Sequence, residues 1–205
     1  MNTPALTNNN GQRAIVLALL ALLMMATRTH LFSHFAPVPD ASWAVFFIGG
    51  FYLRGWGRWA FPLLMALAVA IDWAVIAGQG ISFWSHYCVS PGYWFLIPAH
   101  LAMWLGGVWL RRGYAGASWA ALGKLALSVI VATALCHLLA QGSFYWLSSS
   151  VAEPTFAGWW KNYSDWFLPY LRSTAMFVAV AAIAQAVSEQ VVKAGRGVAR
   201  GASRR

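Results

Sequence analysis

The chain has 205 residues, of which 60% are hydrophobic and only 9% charged, with a mean hydropathy of +0.59. Soluble domains carry roughly a quarter charged residues, so an ordinary water-soluble globule is excluded and an all-α, polytopic membrane protein is expected. The net charge of +9 and the pI near 10.2 do not argue for nucleic acid, because the basic residues cluster at helix ends and the C-terminus.

In chain order, residues 1–12 are polar and read as a flexible tail. Arg13 opens an apolar run over residues 14–26 that continues to 32. A signal peptide is rejected there, since RTHLFSHF follows in place of a small-x-small cleavage site. Residues 41–53 form a second apolar segment, short against the ~20 residues of a full span, so it reads as tilted, extended by its flanks or partly re-entrant. The basic turn RGWGR follows. A third run covers 59–77 and contains Asp72. Residues 78–94, GQGISFWSHYCVSPGYW, then interrupt the apolar pattern with a cysteine beside a histidine among Phe83, Trp84, Tyr87, Tyr93 and Trp94. Runs at 92–110, 118–140 and 167–192 complete six predicted transmembrane helices. Residues 193–205 read as a second flexible tail, and 1–205 as a single transmembrane domain with no repeat. Thirteen Trp and seven Tyr suit the aromatic belts at a bilayer's two interfaces.

Six spans put both termini on one side. Of the 14 Lys and Arg, only Arg28, Lys161 and Arg172 fall on the other, so the positive-inside rule predicts cytoplasmic termini and an outward-facing 78–94 loop. The outer half then holds all five histidines, both cysteines and every acid except Glu189: His30, His34 and Asp40 in the first outer loop, and Glu153 and Asp165 in a long third loop, 141–166. Ionisable groups in a membrane usually line a cavity or pair with one another. The pattern therefore points to an outward ligand site, with Asp72, His30, His86, Tyr87 and Tyr93 as candidate pocket residues.

Structural readings stand beside these. Asp72 reads equally as an ion-pair partner of Arg28 or Arg172. His100 and His137 read as helix-packing residues, or alternatively as a haem-holding pair in a membrane oxidoreductase. Cys88 and Cys136 could form a disulfide on an oxidising side, and Cys136 alone reads as a packed thiol. HYC, residues 86–88, is too small a set for a structural metal site. It suits a single soft axial donor to a metal whose equatorial positions a macrocycle already fills. A protonated His86 would favour the Cys88 thiolate. No nucleotide site is recognisable: residues 116–124 have the wrong spacing for a P-loop and Leu125 stands where Ser or Thr belongs. GxSxG, HExxH and CxxC are also absent.

Six short helices, cytoplasmic termini and an outward site resemble the S-components, the substrate-binding subunits of energy-coupling factor transporters. Their first helix packs small residues against a partner subunit, and this chain has Ala14 and Ala18 at that spacing, with Ala21 continuing the small face. The loop SHYCVSPGYW, with its lone cysteine, resembles the BtuM group of small bacterial cobalamin transporters. That resemblance implies an S-component-like bundle in the bacterial inner membrane, cobalamin as transported ligand, Cys88 as cobalt ligand and an energising module docked at Ala14 and Ala18. With a thiolate donor, loss of an opposite cyanide ligand is conceivable chemistry. An S-component-like transporter of another vitamin remains the alternative.

Overall fold

The computed structural model describes residues 9–29 and 38–202, with side chains through residue 195. The described residues form six α-helices: α1 Asn10–Arg28, α2 Ser42–Tyr52, α3 Gly57–Gly78, α4 Leu96–Arg112, α5 Trp119–Leu147 and α6 Phe156–Ala202. Asn9 caps α1, its Oδ1 accepting from the Gly11 and Gln12 amides at 2.6 and 3.2 Å. Ser118 caps α5, its Oγ accepting from the Ala121 amide at 3.1 Å. Five of the six helices are long and apolar enough to cross a membrane. Outward faces carrying Leu19 and Leu22 on α1, Ile130 on α5, and Val180 and Ile183 on α6 are exposed. An apolar exterior of this kind is what lipid contact requires. The chain is a polytopic helical bundle.

The exception is α2, which is as short as its apolar run of 41–53 led one to expect. Its 11 residues rise only about 16 Å, against a hydrocarbon core of ~30 Å. It has no polar face, and Ala44 through Phe51 are all buried. A helix apolar all round seeks the interior, and α2 lies among α1, α3, α4 and α6. The chain around it still runs the length of α1. At one end Arg28 bonds Asp40 and Ser42 at 3.1 and 3.0 Å, and at the other Arg13 lies over the Trp56 ring, 6.0 Å from its centroid. Residues 40–56 thus pass antiparallel to α1, and the chain continues to alternate direction.

The contact between α2 and α4 is backbone on backbone. A Cβ on Gly50 would collide with the Trp104 carbonyl oxygen, and one on Gly107 with the Phe47 carbonyl oxygen. Around this seam Phe46, Phe47, Leu64, Met103 and Cys136 are fully buried.

Two boundaries differ from the sequence reading. The expected third outer loop, 141–166, shrinks to 148–155, because α5 continues to Leu147 and α6 starts at Phe156. Cross-helix bonds hold the extra turns: Gln141 to Asn162 at 3.1 Å, and Tyr163 Oη to the Ala134 carbonyl at 3.2 Å. Residues 10–12 and 193–202, read as tails, are also helical. The bundle has two ends. One gathers residues 38–41, 79–95 and 148–155 and is called the loop end below. The other gathers the start of α1, the 53–57 and 113–118 connections and the end of α6, and is called the terminal end.

Candidate functional site

The 79–95 connection at the loop end is folded. A 3-10 turn at Phe83–Ser85 and another at Pro91–Phe95 turn Phe83 and Tyr93 inward, where they pack with Ile76, Val69, Val89 and Leu96 into a small second core. The Ser143 hydroxyl on α5 donates to the Gly92 carbonyl at 3.1 Å and ties the loop down. The five aromatics that the sequence placed around Cys88 therefore divide. Phe83 and Tyr93 face in, while Trp84, Tyr87 and Trp94 stay 73%, 65% and 47% exposed. These three rings lie at the surface of the loop end and are called the Trp84–Tyr87–Trp94 face.

Cys88 lies at the edge of that face, half-buried and free. The neighbouring Cys88 thiol raises the pKa of the Tyr87 phenol. The Cys88 sulfur is also within electrostatic reach of Tyr93. His86 bonds the loop's own backbone. Its Nδ1 accepts from the Cys88 backbone amide at 3.3 Å, and its ring lies 4.6 Å from Tyr87. The imidazole thus braces the Cys88 backbone.

Directly beneath is a charged network that the sequence had half anticipated. Asp72 receives Arg28 Nε on Oδ1 and Arg28 Nη2 on Oδ2, both at 2.7 Å, and the Tyr93 hydroxyl on Oδ2 at 2.7 Å. The same guanidinium reaches Asp40 and Ser42. Two N–H groups in parallel on one carboxylate make the strong, directional form of ion pair. Of the two partners expected for Asp72, Arg28 is the one used, and Arg172 is exposed. Asp72 and Tyr93, both candidate pocket residues, are brought together by Arg28, expected only as a pairing partner, which joins α1, α2 and α3. Its signal was the scarcity of bases at this end of the chain. His30 falls within residues 30–37, outside the described residues, as does His34.

The space inside the loop end is small. A cavity of about 10 Å³ lies among Arg28, Met65, Tyr93, Trp94 and His100, enough for about one water.

His100 and His137 are both buried. His100 bonds the Leu96 carbonyl through Nδ1 at 2.6 Å, and its Nε2 has no partner among the described residues. His137 shares a bond with the Tyr163 carbonyl through Nε2 at 3.1 Å and sits among Trp43, Tyr163, Phe167 and Tyr170. Both rings are packing residues in this arrangement. Cys136 is fully buried in the main core and is likewise a free thiol. Among the described residues no three His, Cys, Asp or Glu side chains converge as a metal site.

Fold and site together define a multi-pass membrane bundle with a free, half-buried thiol in an aromatic loop and a half-buried ion-pair network at the same end. In comparison with known proteins, no family model matches the chain and no curated protein matches its sequence.

Proposed function

We propose that this chain binds cobalamin and carries it across the bacterial inner membrane, in the manner of the S-components of energy-coupling factor transporters, with the Cys88 thiolate as one axial donor to the cobalt. The observation that carries the reading is Cys88 itself: a half-exposed free thiol in a folded loop, with no competing cluster of metal-ligating side chains among the described residues. A lone soft donor is of little use to a bare metal ion but suffices where a macrocycle supplies the equatorial ligands. A corrin ring is broad and apolar with amides at its rim, and the outward Trp84, Tyr87 and Trp94 offer it aromatic surface.

The charge distribution supports an outward loop. Arg13, Arg54, Arg58, Arg111, Arg112 and Lys193 gather at the terminal end, which the positive-inside rule makes cytoplasmic. Partner docking falls to α1. Ala14 and Ala18 are exposed on its outer face beside Ile15 and Leu19, and small side chains there permit close approach by a helix of an energising module.

The direct test is retention of the ligand. Protein purified in detergent and mixed with cobalamin is expected to leave a size-exclusion column with stoichiometric corrinoid, whose absorbance differs from that of the free vitamin. Colourless protein, with all the corrinoid in the small-molecule fraction, would refute the proposal.

A further inference from the structure

A cavity lies at the terminal end, away from Cys88. It is a groove of about 270 Å³. Its walls are the start of α5 (Ala121, Leu122) and the middle of α6 (Ala182, Ile183), and its floor is Phe47 and Phe51 of α2. The cross-helix bonds that join α5 to α6 lie toward the loop end, at His137–Tyr163 and Gln141–Asn162. Here Tyr52 bonds Gln185 at 2.9 Å and α6 leans on α2. Leu122 and Ile183 on the rim are 51% and 64% exposed, so the groove opens on the lipid-facing side.

A cation flanks the groove. Arg111 lies over the Phe51 ring, 5.7 Å from the centroid. It is within electrostatic reach of Tyr52 and Tyr114, two further groove residues, and of a second guanidinium, Arg54. Arg111 makes no ion pair with a carboxylate among the described residues. The one acid at this end, Glu189, already accepts from the Tyr114 hydroxyl, the Ala117 amide and Gln185 at 2.7, 2.9 and 2.8 Å. Two neighbouring guanidiniums without a counter-charge, above an apolar groove open to the bilayer, call for an anion with a hydrocarbon tail.

We infer that this groove binds one anionic phospholipid, an acyl chain lying between α5 and α6 and the phosphate held by Arg111 with Arg54. The charge complementarity selects an anionic over a zwitterionic headgroup, and the apolar walls select a lipid over a free phosphate. The site is independent of corrinoid binding and stands whichever way the bundle faces.

The test uses the full chain reconstituted in equal parts phosphatidylglycerol and phosphatidylcholine, then extracted in mild detergent, with retained lipid identified by mass spectrometry. Wild-type protein is expected to keep phosphatidylglycerol in excess. Arg111→Gln should lower that preference about fivefold, the worth of one basic residue at an anionic lipid surface, and Arg111→Lys should keep most of it. Ala182→Phe, which fills the groove, should lose the retained lipid while the protein stays monodisperse. Wild-type protein that holds the two lipids in the proportion supplied overturns the site, and so does Arg111→Gln protein with unchanged preference.

Discussion

At the scale of single residues, the loop end depends on Asp72. It accepts three short hydrogen bonds, two from Arg28 and one from Tyr93, with both partners of the ion pair less than a fifth exposed. Removing one hydrogen bond to a charged group costs roughly 1.5–3 kcal/mol. Removing one partner of a buried ion pair costs about 3–5 kcal/mol, less here because some solvent remains and Asp40 still neutralises Arg28. Tyr93→Phe should therefore lower the thermal unfolding temperature in detergent modestly, and Asp72→Asn should lower it further. Equal losses would mean that the carboxylate's charge contributes nothing beyond the one bond. The pairing of Asp72 was legible in the sequence, down to a choice of two arginines. The part played by His86 was not, because a ring nitrogen accepting from an amide two residues on is a matter of local backbone geometry.

At the scale of elements, α2 and α4 meet where neither has a side chain to spare. Gly107→Ala would drive a methyl into the Phe47 carbonyl. Forced overpacking costs roughly 1–3 kcal/mol, sometimes more. Gly123 on α5 is the control, since a Cβ there meets nothing within 4 Å. Gly123→Ala should leave stability unchanged or raise it by up to about 1 kcal/mol through helix propensity. Thermal unfolding of the two variants side by side checks the seam; comparable stabilities would show that α2 and α4 do not pack this closely. The long helices were plain from their apolar runs, and so was the shortness of α2. Its complete enclosure was not, since an apolar run reads alike whether lipid or protein surrounds it. The upper turns of α5 and α6 were mistaken for loop because their Trp, Tyr, Asn and Gln lack an apolar stripe. Those residues are held helical by partners on the facing helix, which no single segment reveals.

At the scale of the whole molecule, the polar chemistry lies at the two ends of an apolar bundle. Four of the five acids and the Cys88 loop lie toward one end, and most of the basic residues toward the other. This division followed from composition and alternation alone. The location of open space did not: the sequence pointed to a pocket beside the loop, whereas the larger cavity lies at the terminal end. Cavities arise from how helices splay, which spacing along the chain does not encode. The central claim is that the Cys88 sulfur meets the cobalt. It is tested by comparing the absorbance of bound cobalamin in wild-type, Cys88→Ser and Cys136→Ser protein. A serine hydroxyl is a harder, poorer donor than a thiolate, and Cys136 is sealed in the core. The account predicts that Cys88→Ser abolishes the altered spectrum and weakens retention, while Cys136→Ser keeps the wild-type spectrum. Identical behaviour of the two variants would contradict it.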